Sequence, residues 1–142
     1  MPDDLSLLLY LPHREMEDRM FAALAGAGFD DVTPAQVRVF QRIGRNGSRL
    51  TELAEAAQIT KQTAGFLVDQ LERGGYVERT SDPTDARARL IRVAERGQKA
   101  IPVGLAAVAE VEREWTAHLG QRRMAALRDA LVRLREITDP RL

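Results

Sequence analysis

Two residues, Gln58 and Ile59, are all that separate two short runs with apolar faces, and that spacing restricts what this chain can fold into. The first run, TELAEAA, turns Leu53, Ala54 and Ala57 to one side and carries Thr51 as its expected cap. The second begins after Thr60, also a capping residue. It repeats Ala64, Leu67, Val68 and Leu71 at helical steps until Gly74 and Gly75 stop it. Upstream, TPAQVRVFQRIGRNG opens with Thr33, places Pro34 at the first helical position and Gln36 three residues after the cap, and is expected to end at RNG. Its inner stripe is expected at Val37, Phe40 and Ile43 or Gly44. Downstream, the β-capable runs YVERT and RLIRV flank the turn-forming stretch SDPTD. Helix, tight turn, helix and hairpin follow one another in the order of a winged helix-turn-helix. The expected fold class is mainly α with a small β-wing.

The flanks are helical in pattern. Leu9, Met16, Met20 and Leu24 recur at near-helical spacing, with Pro12 marking either a kink or the true start, and Gly26 and Gly28 ending the run. Ile101, Leu105, Val108, Val111 or Glu112, Trp115 and Leu119 form a later stripe, with Pro102 an early irregularity; Gly120 interrupts, and Met124, Leu127, Leu131 and Leu134 follow. These stripes exceed what one small core requires and point to a homodimer, with Leu8, Leu9, Leu119, Leu127, Leu131 and Leu134 at its interface. The expected organisation is therefore an N-terminal dimerisation helix over 1–30, a winged helix-turn-helix over 31–96 and a C-terminal dimerisation α-hairpin over 97–142.

Charge is distributed unevenly. Lys and Arg number 21 against 21 Asp and Glu, a formal net charge of zero. Residues 1–34 nevertheless carry two arginines against seven acids, whereas residues 35–99 carry twelve basic residues against eight acids. The basic part coincides with the helix-turn-helix and its hairpin, as an anionic partner would require. There is no cysteine, which excludes disulfides, thiolate zinc sites and thiol-based sensing. LSLLLYL is short and follows Asp3 and Asp4 instead of a basic stretch, so it does not read as a secretory signal; nothing else reaches membrane-spanning length, and a cytoplasmic protein with no membrane partner is expected. The two histidines, His13 and His118, lie far apart, and HExxH, GxxxxGK[ST] and GxSxG are all missing. No enzyme, cofactor or metal site is expected.

The segment from Thr33 to Lys99 resembles the MarR-type regulators, winged-helix proteins of the multiple antibiotic resistance family. The resemblance rests on TPAQ opening a helix, on LAEAAQITKQTAGFLVDQLERGGYVER, and on the wing DPTDARARLIRVAERG. Its most specific part is Asp-Pro-x-Asp-x-Arg, filled by Asp82, Pro83, Asp85 and Arg87. The resemblance implies a homodimeric, sequence-specific DNA-binding regulator of transcription, a repressor relieved by a small ligand, acting on a pseudo-palindromic operator. It places Arg87 at the wing tip against a minor groove, where a planar cation meets concentrated negative potential. Asp85, two residues earlier, is close enough to hold that guanidinium, and Arg89 and Arg92 are left to phosphates or solvent.

On the recognition helix, Lys61, Gln62, Thr63, Phe66, Gln70 and Arg73 fall off the apolar face; Gln62 stands where such a helix enters the major groove. Relatives often carry Arg where this chain has Phe66 and Gln70, and Thr or Ser where it has Gly65. Phe66 either meets DNA or packs inside, and Gly65 serves either close backbone approach or tight packing. Arg49, Thr33, Arg38 and Thr51 are lesser DNA candidates. Family members also bind small aromatic ligands, for which Tyr10, His13, Arg14, Trp115 and His118 offer rings and donors, while Trp115 equally suits a dimer core. The competing reading is a winged-helix protein-interaction module that does not touch DNA.

Overall fold

The computed structural model describes residues 2–141 as six helices and one two-stranded antiparallel sheet. The order is α1 (Leu5–Gly26), α2 (Pro34–Phe40), α3 (Leu50–Ala57), α4 (Lys61–Arg73), β1 (Val77–Asp82), β2 (Asp85–Val93), α5 (Glu95–Leu119) and α6 (Gln121–Thr138). Two compact units emerge, one built from residues 1–30 and 100–130, the other from 31–99 and 131–142. Among the described residues no helix is long and apolar enough to cross a membrane.

The second unit is the winged helix-turn-helix. Its core comprises Val39, Leu53, Ala54, Ala64, Leu67, Val68, Leu71, Tyr76, Val77 and Ile91, all nearly inaccessible to water. The four apolar positions read from α4 are all in this set. Thr60 caps α4 by accepting the Thr63 amide at 3.0 Å, and Thr33 and Gln36 form the reciprocal capping box that opens α2. Gly75, with φ of 81°, turns the chain out of α4. The wing pairs Val77 with Val93 through Ser81 with Arg89, then slips by a bulge so that Asp82 faces Asp85. Only Pro83 and Thr84 connect the strands, so most of the expected SDPTD loop is strand. A further backbone bridge joins Ser48 to Ile91, with N···O distances of 3.0 and 2.8 Å, and adds a third chain to the sheet at that point.

Several local expectations are corrected. Helix α2 ends at Phe40, before RNG, and buries Gln36 and Val39, whereas Val37 and Phe40 are half-buried. Helix α3 starts at Leu50 with Arg49 as its cap, the Arg49 amide donating to Glu52 Oε1 at 3.0 Å. Thr51 therefore lies inside the first turn. Pro12 sits within α1 and does not begin it.

In the first unit, Leu24, Ala100 and Val111 are buried. Arg19 forks onto both carboxylate oxygens of Glu114, at 2.8 and 3.0 Å, and those bonds raise its pKa further. Gly120, with φ of 89°, is the single-residue joint between α5 and α6. Across it, Arg128 reaches Glu112 at 2.7 Å. Helix α6 buries none of its described residues.

Candidate nucleic-acid interface

Helix α4 divides cleanly by face. Ala64, Leu67, Val68 and Leu71 point into the core, while Lys61, Gln62, Thr63, Phe66, Asp69, Glu72 and Arg73 are exposed. The exposed residues of the first turn, Lys61, Gln62 and Thr63, offer a cation, an amide and a hydroxyl on a helix whose N-terminus is preset by the Thr60 cap. That is the donor set with which a recognition helix reads base edges and phosphates. The Thr63 hydroxyl oxygen accepts from Thr60 Oγ1 at 2.9 Å, which fixes its rotamer.

Phe66 is 59% exposed, so the alternative in which it packs inside is removed. Its ring is presented outward, one turn beyond Gln62. Gln70 is half-buried, and its Oε1 accepts from Gln36 Nε2 at 2.9 Å. That bond commits the Gln70 carbonyl to tying α4 to α2. Gly65 meets no crowding, since a Cβ there would lie 3.6 Å from Leu50 Cδ2, an ordinary contact. Tight packing therefore does not explain this glycine.

The wing belongs to the same unit as α4. Arg87 and Arg89 are exposed near its tip. Asp85 does not hold the Arg87 guanidinium; its Oδ1 accepts the Arg87 backbone amide at 3.0 Å and so shapes the start of β2. Arg89 donates from Nη2 to the Arg79 carbonyl at 3.2 Å. Arg92, expected at phosphates or in solvent, is half-buried and donates from Nε to Thr80 Oγ1 at 3.2 Å across the hairpin. Arg79 grips both Asp69 and Glu72 of α4, at 2.8 and 2.7 Å, and joins the first strand to that helix.

The carboxylate that does hold a guanidinium is Asp82. It is 7% exposed and accepts Nε and Nη2 of Arg49 on Oδ2, at 3.0 and 2.7 Å. Its Oδ1 accepts the Thr84 amide and hydroxyl at 2.8 and 2.7 Å. These donors, the Thr84 amide first, draw its pKa down to about 2. Asp82 thus bonds its own downstream amide at Thr84, while its other partner, Arg49, lies 33 residues away and has no local signal.

A second polar cluster closes the base of the unit. Asp31 accepts from Tyr76 Oη and from Arg96 Nη1, whose guanidinium stands 4.5 Å from the Tyr76 ring centroid. The Arg96 bond, foremost, lowers the Asp31 pKa.

The residues suggested for a small ligand lie in the other unit. Arg14 stacks on Tyr10 at 5.6 Å, His13 Nε2 stands 3.4 Å from Glu17, and Trp115 is half-buried while His118 is exposed. An open groove of about 740 Å³ in this unit is lined instead by Arg19, Ala23, Val103, Ala106, Ala107 and Glu110, among others. Of the expected interface leucines, Leu8, Leu9, Leu127, Leu131 and Leu134 are 38–51% exposed and Leu119 is half-buried. No group of three or more His, Cys, Asp or Glu among the described residues could hold a metal ion.

With this geometry in view, comparison with known proteins finds a match of residues 30–88 to the MarR family. The chain is 35% identical over 79 residues to the transcriptional regulator HosA of Escherichia coli O111:H-, covering 52% of this chain and 58% of HosA. It is 26% identical over 96 residues to ExpG, an exopolysaccharide II synthesis transcriptional activator of Rhizobium meliloti strain 1021, covering 68% of this chain and 50% of ExpG. The chain thus spans 50–58% of the length of these curated relatives. A crystal structure of MarR superposes with a TM-score of 0.75 at 27% identity, covering 94% of this chain and 96% of that one. These relatives are regulators and not enzymes, and the winged-helix fold is common to this chain and MarR.

Proposed function

We propose that this chain, which belongs to the MarR family, is a homodimeric regulator of transcription that binds duplex DNA in a sequence-dependent way. The observation that carries this reading is the exposure, on one unit, of Lys61, Gln62 and Thr63 at the start of α4 together with Arg87 at the tip of the wing. In this reading α4 lies in a major groove with Gln62 at base edges, and Arg87 enters the neighbouring minor groove. Lys61, Arg73 and Arg89 supply phosphate contacts, and Phe66 adds apolar contact. Gln70 and Asp85 act from behind by holding α2 and the wing backbone. Residues 31–96 form the reading domain, and 1–30 and 97–142 pair two copies through the exposed leucines of α1 and α6. A bound dimer would obstruct a promoter, which favours repression. Tyr10, His13, Arg14 and Trp115 are the groups we assign to an aromatic inducer, on the strength of the ring and cation that Tyr10 and Arg14 present together.

One observation favours the second reading, a protein-interaction module: the chain has no net positive charge, and several of its middle arginines are engaged by carboxylates. Mobility shift on a duplex selected by the chain from a randomised pool separates the two. Arg87→Ala should then weaken binding by about 1–3 kcal/mol per protomer. Enrichment of no duplex would overturn the DNA reading, and unchanged affinity would remove the wing from it.

A further inference from the structure

The wing is a two-stranded hairpin, an element of marginal stability when unsupported. Its root is well held: at the level of Ile91, β2 is bridged to Ser48 on one side and paired with Arg79 on the other, and Arg79 is in turn fastened to α4. Asp82 lies three residues beyond Arg79 along β1, where the ladder breaks register and the chain turns. There the Arg49 side chain reaches it.

Both ends of that contact are fixed before they meet. Arg49 follows the Ser48 bridge directly and caps α3 through Glu52, so its backbone is anchored at two points. Asp82 is anchored by Thr84, whose two bonds occupy Oδ1 and leave Oδ2 for the guanidinium. A planar fork is suited to such a hold because little freedom remains to be lost when it closes. Arg87 is five residues from Asp82, on the strand that Asp82 faces, and its amide is held by Asp85, the register partner of Asp82.

We propose that Arg49 is a positioning residue for the wing: its grip on Asp82 braces the distal half of the hairpin against the first helix of the helix-turn-helix and so sets where Arg87 stands. The brace makes α3 the reference from which the tip is placed, and couples the pose of one DNA-contacting element to that of the other. The consequence for affinity rests on the DNA-binding reading above; the mechanical role does not.

Two measurements test it. Arg49→Met combined with Asp82→Asn replaces the pair by neutral groups and leaves no buried carboxylate without a counter-charge. In the free protein this variant should speed hydrogen exchange at residues 83–88 while leaving exchange in α4 unchanged. Arg49→Lys, which keeps the charge but not the fork, should fall between it and the wild type. Unchanged exchange at the tip, or acceleration spread across the whole unit, would overturn the proposal. On the selected duplex, the neutral pair should weaken binding about tenfold in the wild-type background and less than about threefold when Arg87→Ala is already present, since a brace for Arg87 has little to do without it. Equal losses in the two backgrounds would overturn the brace in favour of Arg49 meeting DNA directly. If no duplex is enriched, the DNA reading falls, and the exchange experiment still decides the brace.

Discussion

Gly97 has no room for a methyl group. A Cβ there would overlap the Tyr76 carbonyl oxygen and lie 2.9 Å from Val93 Cγ1 and 3.0 Å from Phe40 Cε2. Gly97→Ala should therefore cost on the order of 1–3 kcal/mol in denaturant unfolding, the usual range for overpacking. Gly65→Ala should do the reverse and raise stability by roughly 0.5–1 kcal/mol, because the site is open and glycine is a poor helix former. Asp82 makes a further prediction, this time with pH. Its pKa is held at about 2, below the ordinary 3.8, so its contribution to stability is complete above the ordinary value and is lost as pH falls towards 2. The margin of the wild type over Asp82→Asn in denaturant titrations should accordingly shrink between pH 5 and pH 2.5. Comparison with Asp82→Asn isolates this carboxylate from Asp31, Glu114 and Asp139, whose pKa values are also lowered. Residues whose partners are near in sequence, such as Thr60 with Thr63, were legible from the chain alone. Arg49 with Asp82 and Gln36 with Gln70 were not, because the pairing depends on how elements 33 and 34 residues apart are brought together.

Elements were read best where one periodic signal dominated. The apolar face of α4 and the stops at Gly74 and Gly75 come directly from spacing and turn chemistry. Helix α3 starts two residues earlier than Thr51, a good cap by type, would place it, because the Glu52 carboxylate accepts the Arg49 amide and makes Arg49 the cap. The wing strands ran longer than YVERT and RLIRV because cross-strand pairing continues through polar residues that look like loop in isolation. Asp139 and Arg141, just beyond the end of α6, supply contacts that no local pattern announces. Arg42 forks onto both oxygens of Asp139 at 2.9 Å, and Arg141 reaches Glu52 and Glu55 at 3.0 and 3.2 Å. Asp139→Ala should loosen the α2–α3 connection, seen as faster hydrogen exchange at residues 41–47 with little change in α4. Protection as strong as in the wild type would show that the connection holds itself.

At the scale of the whole molecule, the chain crosses between its two compact units at 30/31, 99/100 and 130/131. Neither unit is a continuous stretch of sequence, and the last dozen residues share a unit with the helix-turn-helix. The apolar surface left open on α1 and α6 is what the proposed second copy would cover. In the proposed dimer on DNA, Leu131→Glu with Leu134→Glu should shift sedimentation from dimer to monomer and weaken DNA binding in parallel, since a lone protomer brings only one α4 and one wing. A dimer that survives both substitutions would place the interface elsewhere.

The bridge between Ser48 and Ile91 also affects what the molecule avoids. An open ribbon of alternating apolar residues is a template on which foreign chains add strands until insoluble fibrils grow. Here the second ribbon is flanked at its most buried residue by backbone on either side, so that docking position is already taken, and a hairpin long enough to reach outward is protected from self-association at its root.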